Sequence, residues 1–359
     1  LNNLTLHILN TVPWSNLNRD DTGTPKRAVI GGVLRGMLSS QSIKRAARSD
    51  YESRSLDRSI RSTNLAGIIT DRAREITPDL DPKSSAAAAK KLVSALVKNA
   101  GGEEKEGKES GTSSWLSLEE IETAAAAVAA GTTTVSTAGK DEAATFVDAG
   151  RTGSLSIAAF GRMFAAAPEA NTAAAIAVGP ALSVHKAVIE TDYFSTMDED
   201  PKASHKGASF LGVASYTSGV FYRTVTIDRA QLKRSWTGMS SDTARDQLAL
   251  MVEALIYKLP SGKRNATAPY VAPLLVLAEE QSYRLAYDFE TPVLPGNDGG
   301  YGDPAVRRLA AQRAAALDFD KANFGIALAA GTAAGLDGFN AETTGVEGVV
   351  AAVVDWILE

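Results

Sequence analysis

Three observations predict an α+β fold. A strand, a helix, two strands, a helix and a further strand follow one another once interruptions are removed. An alanine-rich helical block between about residues 55 and 148 splits that series, and a polar stretch with isolated aromatics, from Thr191 to Thr217, splits it again. The underlying order is that of ferredoxin-like and RNA-recognition domains. With 359 residues the chain can bury a substantial core even after both interruptions.

Each element follows from a local pattern. Leu4 to Val12 alternates Leu4, Leu6 and Ile8 against Thr5, His7 and Leu9, which predicts a half-buried strand ended by Pro13. Asn18 to Lys26 is a polar loop containing Asp21, Gly23 and Pro25. Ala28 to Leu34 is apolar and carries Gly31-Gly32, where backbone can approach a ligand closely. Ser39-Ser40 opens a short helix to about Ser49, with a serine as N-cap. In the alanine-rich block, Leu65, Ile68, Ile69, Arg72 and Ile76 keep a helical period, and Thr123 to Ala130 reads as another helix. Between them, Asn99 to Ser114 has no apolar face and reads as an exposed flexible loop.

Beyond the block, Ser154 to Ala159 reads as a resumed strand, and Ala165 to Lys186 has no assignable period. Gly219 to Asp228, β-branched and aromatic, is the clearest strand. Ser241 to Leu259 is a helix with the stripe Leu248, Met251, Val252, Leu255 and Leu259, stopped by Pro260. Pro269 to Leu277 reads as the last strand, and helices near Ala305 to Leu317 and Gly345 to Leu358 close the chain.

Composition narrows the function classes. Apolar residues make up 44% and charged residues 22%, which excludes disorder throughout, a collagen-like chain and a coiled-coil rod. No apolar run approaches about 18 residues, so no transmembrane helix is expected. Absence of cysteine excludes disulfides and thiolate metal sites and fits a reducing cytoplasm, the expected location. Leu1 to Thr5 has no basic region leading into an apolar core, so no signal peptide is expected. The net charge of −5 hides an asymmetry: Arg19 to Arg74 holds twelve basic residues against six acidic ones. A basic stretch on an acidic chain suggests a confined polyanion site, or else a solvated helical face.

The most informative segment is Ser39-Ser40-Gln41-Ser42-Ile43-Lys44-Arg45-Ala46-Ala47-Arg48. On a helix, Gln41, Lys44, Arg45 and Arg48 share one face, leaving Ile43, Ala46 and Ala47 free to meet the core. Free N–H groups, serine hydroxyls and a cationic stripe together make a phosphate cradle; a surface helix with an ordinary cap reads the same way. Asp20-Asp21 suggests either a metal or a loop-ordering turn. Tyr193, Phe194, Met197, Phe210, Leu211 and Tyr216 stand among polar residues, placed to stack on bases or to pin a loop to the core.

Signals for catalysis are poor. The histidines, His7, His185 and His205, have no metal-ligand spacing. Gly102 and Gly107-Lys108 have P-loop spacing, but Glu109 stands where Ser or Thr should bind magnesium, and no strand precedes. Ser40 and Lys44 lie a turn apart without the remainder of a serine–lysine motif. No cofactor and no catalytic residue are expected.

Leu17-Asn18-Arg19-Asp20-Asp21, Ile30-Gly31-Gly32, the segment from Ser39 to Ala46, Gly161-Arg162-Met163 and Ser218-Gly219-Val220-Phe221-Tyr222-Arg223 together resemble the CasC family. These are the repeated backbone subunits of the type I-E CRISPR Cascade complex. The resemblance runs along residues 4 to 260 and is faint in the alanine-rich block and beyond Pro260.

The resemblance implies a right-hand shape: an RNA-recognition palm with a helical fingers insertion and a long hairpin thumb. It divides the chain into palm (1–50, 151–190 and 219–359, the last with C-terminal helices), fingers (51–150) and thumb (191–218). It implies a non-catalytic protein that polymerises along a guide RNA, grips its backbone, kinks it with the thumb and presents it to target DNA in antiviral defence. Sequence reading is then left to base pairing. Arg19, Lys26, Ser39, Ser40, Gln41, Lys44, Arg45 and Arg48 would contact the guide, with Arg35 a secondary contact. Met163 would lie against a base. Tyr193, standing where relatives can carry tryptophan, would support the kink with Phe194 and Leu211. Implied partners are guide RNA, target DNA through the guide, further copies of the chain, other Cascade subunits and a recruited nuclease-helicase, with no membrane. Two alternatives stay open. One is a metal-dependent RNase like the type III backbone subunits, using Asp192, Asp198 or Asp200. The other is a stand-alone RNA-binding scaffold.

Overall fold

Strand β1 (Asn3–Ser15) is the middle of the molecule in the computed structural model, which describes residues 1–97, 113–131, 146–197 and 208–359. The strand is buried on both faces rather than half-buried: Leu4, Leu6 and Ile8 enter one core, while Thr5, His7 and Leu9 are equally enclosed on the other side. It also runs past Pro13, because the register with its neighbour slips between Val12 and Ser15 and the missing N–H falls in that irregular stretch.

β2 (Arg27–Ile30) and β3 (Val33–Leu38) form a hairpin whose two-residue turn is Gly31-Gly32, with φ of 59° and 71°. The glycines therefore serve the turn. A Cβ on Gly31 would also lie 2.3 Å from the Glu290 carbonyl oxygen, so the close approach there is to the chain itself. Helix α1 (Ser40–Arg54) follows, one turn longer than its sequence pattern, with Ser39 as N-cap.

A helical block comes next: β4 (Ser59–Ser62), α2 (Leu65–Ile76), α3 (Pro82–Leu96), β5 (Ser114–Ser117) and α4 (Leu118–Ala129). It has its own core, including Leu65, Ile69, Leu92, Leu96, Ile121 and Val128. Ile76 is exposed, so the buried stripe of α2 is Leu65, Ile69, Thr70 and Ala73. The loop expected over Asn99 to Ser114 lies almost wholly outside the described residues; Ser114 itself begins β5.

Ser154 to Ala159 is not a strand. Ser154 caps helix α5 (Leu155–Phe160), buried from Leu155 to Ala159. A helix enclosed all round shows no amphipathic period, so its sequence looks like a buried strand. The unassigned stretch contains β6 (Ile176–Val178) and β7 (Ala181–Ser183). β8 (Ile189–Met197) and β9 (Ala208–Asp228) form a long hairpin. β9 is one 21-residue strand: its first half pairs with β8 and its second half with β1.

The remainder is α6 (Arg229–Ser235), α7 (Ala244–Tyr257), the single turn α8 (Arg264–Thr267), β10 (Leu275–Gln281), α9 (Gly302–Phe319), β11 (Phe324–Ala330), β12 (Glu342–Thr343) and α10 (Val346–Leu358). β10 is thus not the last strand. β11 pairs with it antiparallel, and the two-residue β12 pairs parallel with β11, making the sheet mixed. The sheet order is β12-β11-β10-β1-β9-β7-β3-β2, with β6 and β8 also on β9. Helices α1, α5, α7 and α10 contribute to the core on one face, and α9 covers the other.

Ala268, just after α8, holds φ at 43°, in the left-handed region where a Cβ crowds the carbonyl. Ala268→Gly is expected to stabilise the fold by about 1 kcal/mol, read as a higher urea midpoint at unchanged slope.

Candidate nucleic-acid interface

Helix α1 is fixed from below by Ile43, Ala47 and Tyr51, all buried against the sheet and α7. That anchoring turns Gln41, Lys44, Arg45 and Arg48 outward together. They line one side of a cleft of about 440 Å³. Its other side comes from two distant stretches: Arg61, Ser114 and Trp115 from the β4–β5 pair, and Phe160, Gly161, Arg162 and Met163 at the end of α5. No carboxylate lines this cleft among the described residues.

Burial draws the Lys44 ammonium below its ordinary range. The Arg48 guanidinium is lowered mainly by burial and also by neighbouring Arg61 and Arg45, with Glu52 opposing. Arg48 lies over the Trp115 ring, 4.9 Å from its centroid, and its buried Nε has no hydrogen-bond acceptor. A cluster of cations held this way favours a bound anion.

Met163 is 77% exposed at the cleft edge. The preceding residues explain why. Gly161 has φ of 74°, and a Cβ there would lie 2.9 Å from the Ala174 nitrogen. Arg162 is buried and donates to both carboxylate oxygens of Glu120, at 2.5 and 2.6 Å.

Arg19, Lys26, Ser39 and Ser40 gather at the N-terminal end of α1 rather than in the cleft. Asn18 ties this group together: its Oδ1 accepts from the Ser39 N–H at 2.8 Å and the Ser42 hydroxyl at 3.0 Å. Asp20 orders the loop, accepting from the Thr22 hydroxyl and the N–H groups of Thr22 and Thr24. The Thr22 hydroxyl is the main cause holding its carboxyl below the usual range. Ser39 is occupied as the cap of α1, while Arg19 is exposed. Arg35 cannot be a surface contact. It is fully buried and donates to the carbonyls of Ser183, Phe289 and Glu290, because an inward-facing position on β3 places it under the 283–293 segment.

The three hairpin residues do not share a face. Tyr193 lies opposite Val213, and Leu211 stands two residues along on the same face; the three are 69%, 60% and 68% exposed. Phe194 is on the reverse face, where its ring covers Gly212 and meets Phe210 at 6.1 Å. Tyr216 is buried and stacks on Trp14 at the end of β1, with ring centroids 3.8 Å apart. Asp192 pairs with Ala214 on the reverse face, and Asp198, Asp200 and His205 lie outside the described residues, as do the glycines of the P-loop-like spacing. Among the described residues no three acidic or histidine side chains form a group able to hold a metal.

Arg61 and Trp115 are among the cleft residues that sequence reasoning missed. Arg61 belongs to the basic stretch, so charge offered a signal; Trp115 gave none, since the long-range pairing of β4 with β5 places it.

A family model for CT1975-like proteins matches residues 4–356. The chain belongs to that family. Its structure also matches a chain of a "CRISPR RNA-guided surveillance complex, pre-nicking", with a TM-score of 0.81 and 27% identity over 99% of this chain and all of that one. A chain of a "CRISPR RNA-guided surveillance complex" matches with a TM-score of 0.71 over 99% of both chains; at 24% identity that likeness concerns the fold alone. No curated protein gives a significant match. This CT1975-like chain is therefore built as a subunit of CRISPR surveillance complexes is built. No helix among its described residues is long and apolar enough to cross a membrane.

Proposed function

We propose that the chain is the non-catalytic, guide-RNA-binding backbone subunit of a type I-E Cascade. Copies polymerise along the guide, hold its phosphates and present its bases to target DNA. The observation that carries this reading is the cleft, without a carboxylate among the described residues, where Lys44, Arg45, Arg48 and Arg61 meet Trp115 and Met163. Cations suit phosphates and the exposed Met163 thioether suits the face of a base, while the buried Trp115 ring supports the Arg48 guanidinium that lies over it.

The order β10-β1-β9-β7, with β6 beside β9 and α1 and α7 on one face, supports an RNA-recognition palm. The block from β4 to α4 then supplies the fingers, and the hairpin of β8 and β9 the thumb. Tyr193 and Leu211 would support the kink together, and Phe194 would stiffen the hairpin from behind. Arg19, Lys26, Ser40 and Gln41 extend the grip along the guide backbone. Other Cascade subunits would cap the filament in the cytoplasm, and a recruited nuclease-helicase would degrade the target.

The test is copurification of the tagged chain with the products of neighbouring genes, followed by sequencing of bound RNA. Uniform repeat-derived guides in a large complex are expected. Heterogeneous RNA without a large complex would favour a stand-alone scaffold, and magnesium-dependent cutting of the bound RNA would favour the nuclease alternative.

A further inference from the structure

A second cleft, of about 610 Å³, lies on the other flank of α1. Arg45 borders both clefts. Facing it across the second are Lys258, which ends α7, and Arg264, which opens α8 after the intervening turn. Their charges are not equally available. Lys258 Nζ lies 2.8 Å from Asp50, so its charge is compensated within the chain. Arg264 is exposed, and its guanidinium has no hydrogen-bond or ion-pair partner among the described residues. Lys263 beside it sits 5.1 Å over the ring of Tyr216 at the root of the hairpin.

The turn that presents Arg264 is braced from three directions. Buried Arg223 donates to the Ile256 and Lys258 carbonyls, tying the end of α7 to the sheet. Gly262 donates to the Leu17 carbonyl at 3.0 Å, and a Cβ there would lie 2.6 Å from the carbonyl oxygens of Asn16 and Leu17. Lys263 is held at φ of 49°, a left-handed conformation that a non-glycine residue keeps only where its surroundings overdetermine it. The turn thus stands directly against the loop that carries Asn18 and Arg19. A strand of phosphodiesters leaving the first cleft has only α1, about 10 Å across, to pass before it meets Arg264.

We propose that this second cleft takes a further phosphodiester of the same single-stranded RNA, with Arg264 as its main ligand and Arg45 shared between the two clefts. The proposal rests on the RNA-binding reading above.

Binding of a fluorescent oligouridine, long enough for one copy, is measured in the full-length chain across a salt series. For single strands, each lost phosphate contact lowers the slope of log K against log salt by about 0.7. Arg264→Ala is expected to lower it by that amount at unchanged thermal midpoint, and Arg264→Lys to keep most of it. Lys44→Ala is run alongside as a probe of the first cleft. A lower slope in Lys44→Ala with a wild-type slope in Arg264→Ala overturns the second cleft and leaves the function standing. Failure of the wild-type chain to bind oligouridine overturns both. Unchanged oligouridine binding by Arg264→Ala, with loss of co-assembly between copies, assigns the cleft to a neighbouring chain's carboxylate and also overturns the proposal.

Discussion

Arg162→Met is expected to destabilise the protein by about 3–5 kcal/mol, the largest single-residue loss anticipated here. Arg162 and Glu120 are both buried and joined by two charge-assisted hydrogen bonds. The pair bridges two cores. Leu155, Ala158 and Ala159 of α5 belong to the core of the main sheet, and Phe164, two residues after Arg162, belongs to that of the helical block. Glu120 meanwhile completes the capping box of α4, accepting from the Ser117 N–H at 2.8 Å. Removing the guanidinium leaves a buried carboxylate without its counter-charge, whereas removing both charges costs far less. Urea denaturation of Arg162→Met and of Arg162→Met with Glu120→Gln checks this. The double variant should recover part of the loss; a single variant as stable as wild type would show that the pair contributes nothing.

The second large effect is on binding. Lys44→Ala with Arg45→Ala is expected to weaken affinity for single-stranded RNA by at least about 100-fold at low salt, since hydrogen bonds to charged groups contribute about 1.5–3 kcal/mol each. The salt slope should fall by about 1.4, for two phosphate contacts. Neither side chain belongs to the core of α1, which rests on Ile43, Ala47 and Tyr51, so the thermal midpoint should hold. Filter binding on the folded variant measures it, and unchanged affinity would remove α1 from the interface.

How far a sequence discloses such a site depends on the range of the forces that build it. Helix α1 is readable because its cap, its buried positions and its cationic face lie within fifteen successive residues. The β8–β9 hairpin is foreshadowed by aromatics scattered through a polar stretch without helical period. Arg35 shows the limit: an arginine in a basic window looks exposed, and only the packing of residues 283–293 over β3 reveals that its donors are used internally. Helix α5 was hidden by complete burial, β11 by the weak strand preference of its glycine and alanines, and β12 by its length of two residues. The wall formed by Arg61 and Trp115 depends on a strand pairing across more than fifty residues, which no local pattern records.

The continuity of β9 sets an arithmetic on the reach of the hairpin. Because the strand that returns from the tip is the strand that pairs with β1, its pleat is phased by the centre of the molecule. Losing one residue between Gly212 and Gly219 would exchange the two faces of everything beyond, turning Phe210 to where Leu211 stands. Losing two, matched by two from β8, would shorten the arm and preserve its sidedness. Lengths that keep Tyr193, Leu211 and Val213 together are therefore available only in even steps, and the span of the arm is quantised by the strand repeat of about 3.4 Å per residue, taken two at a time.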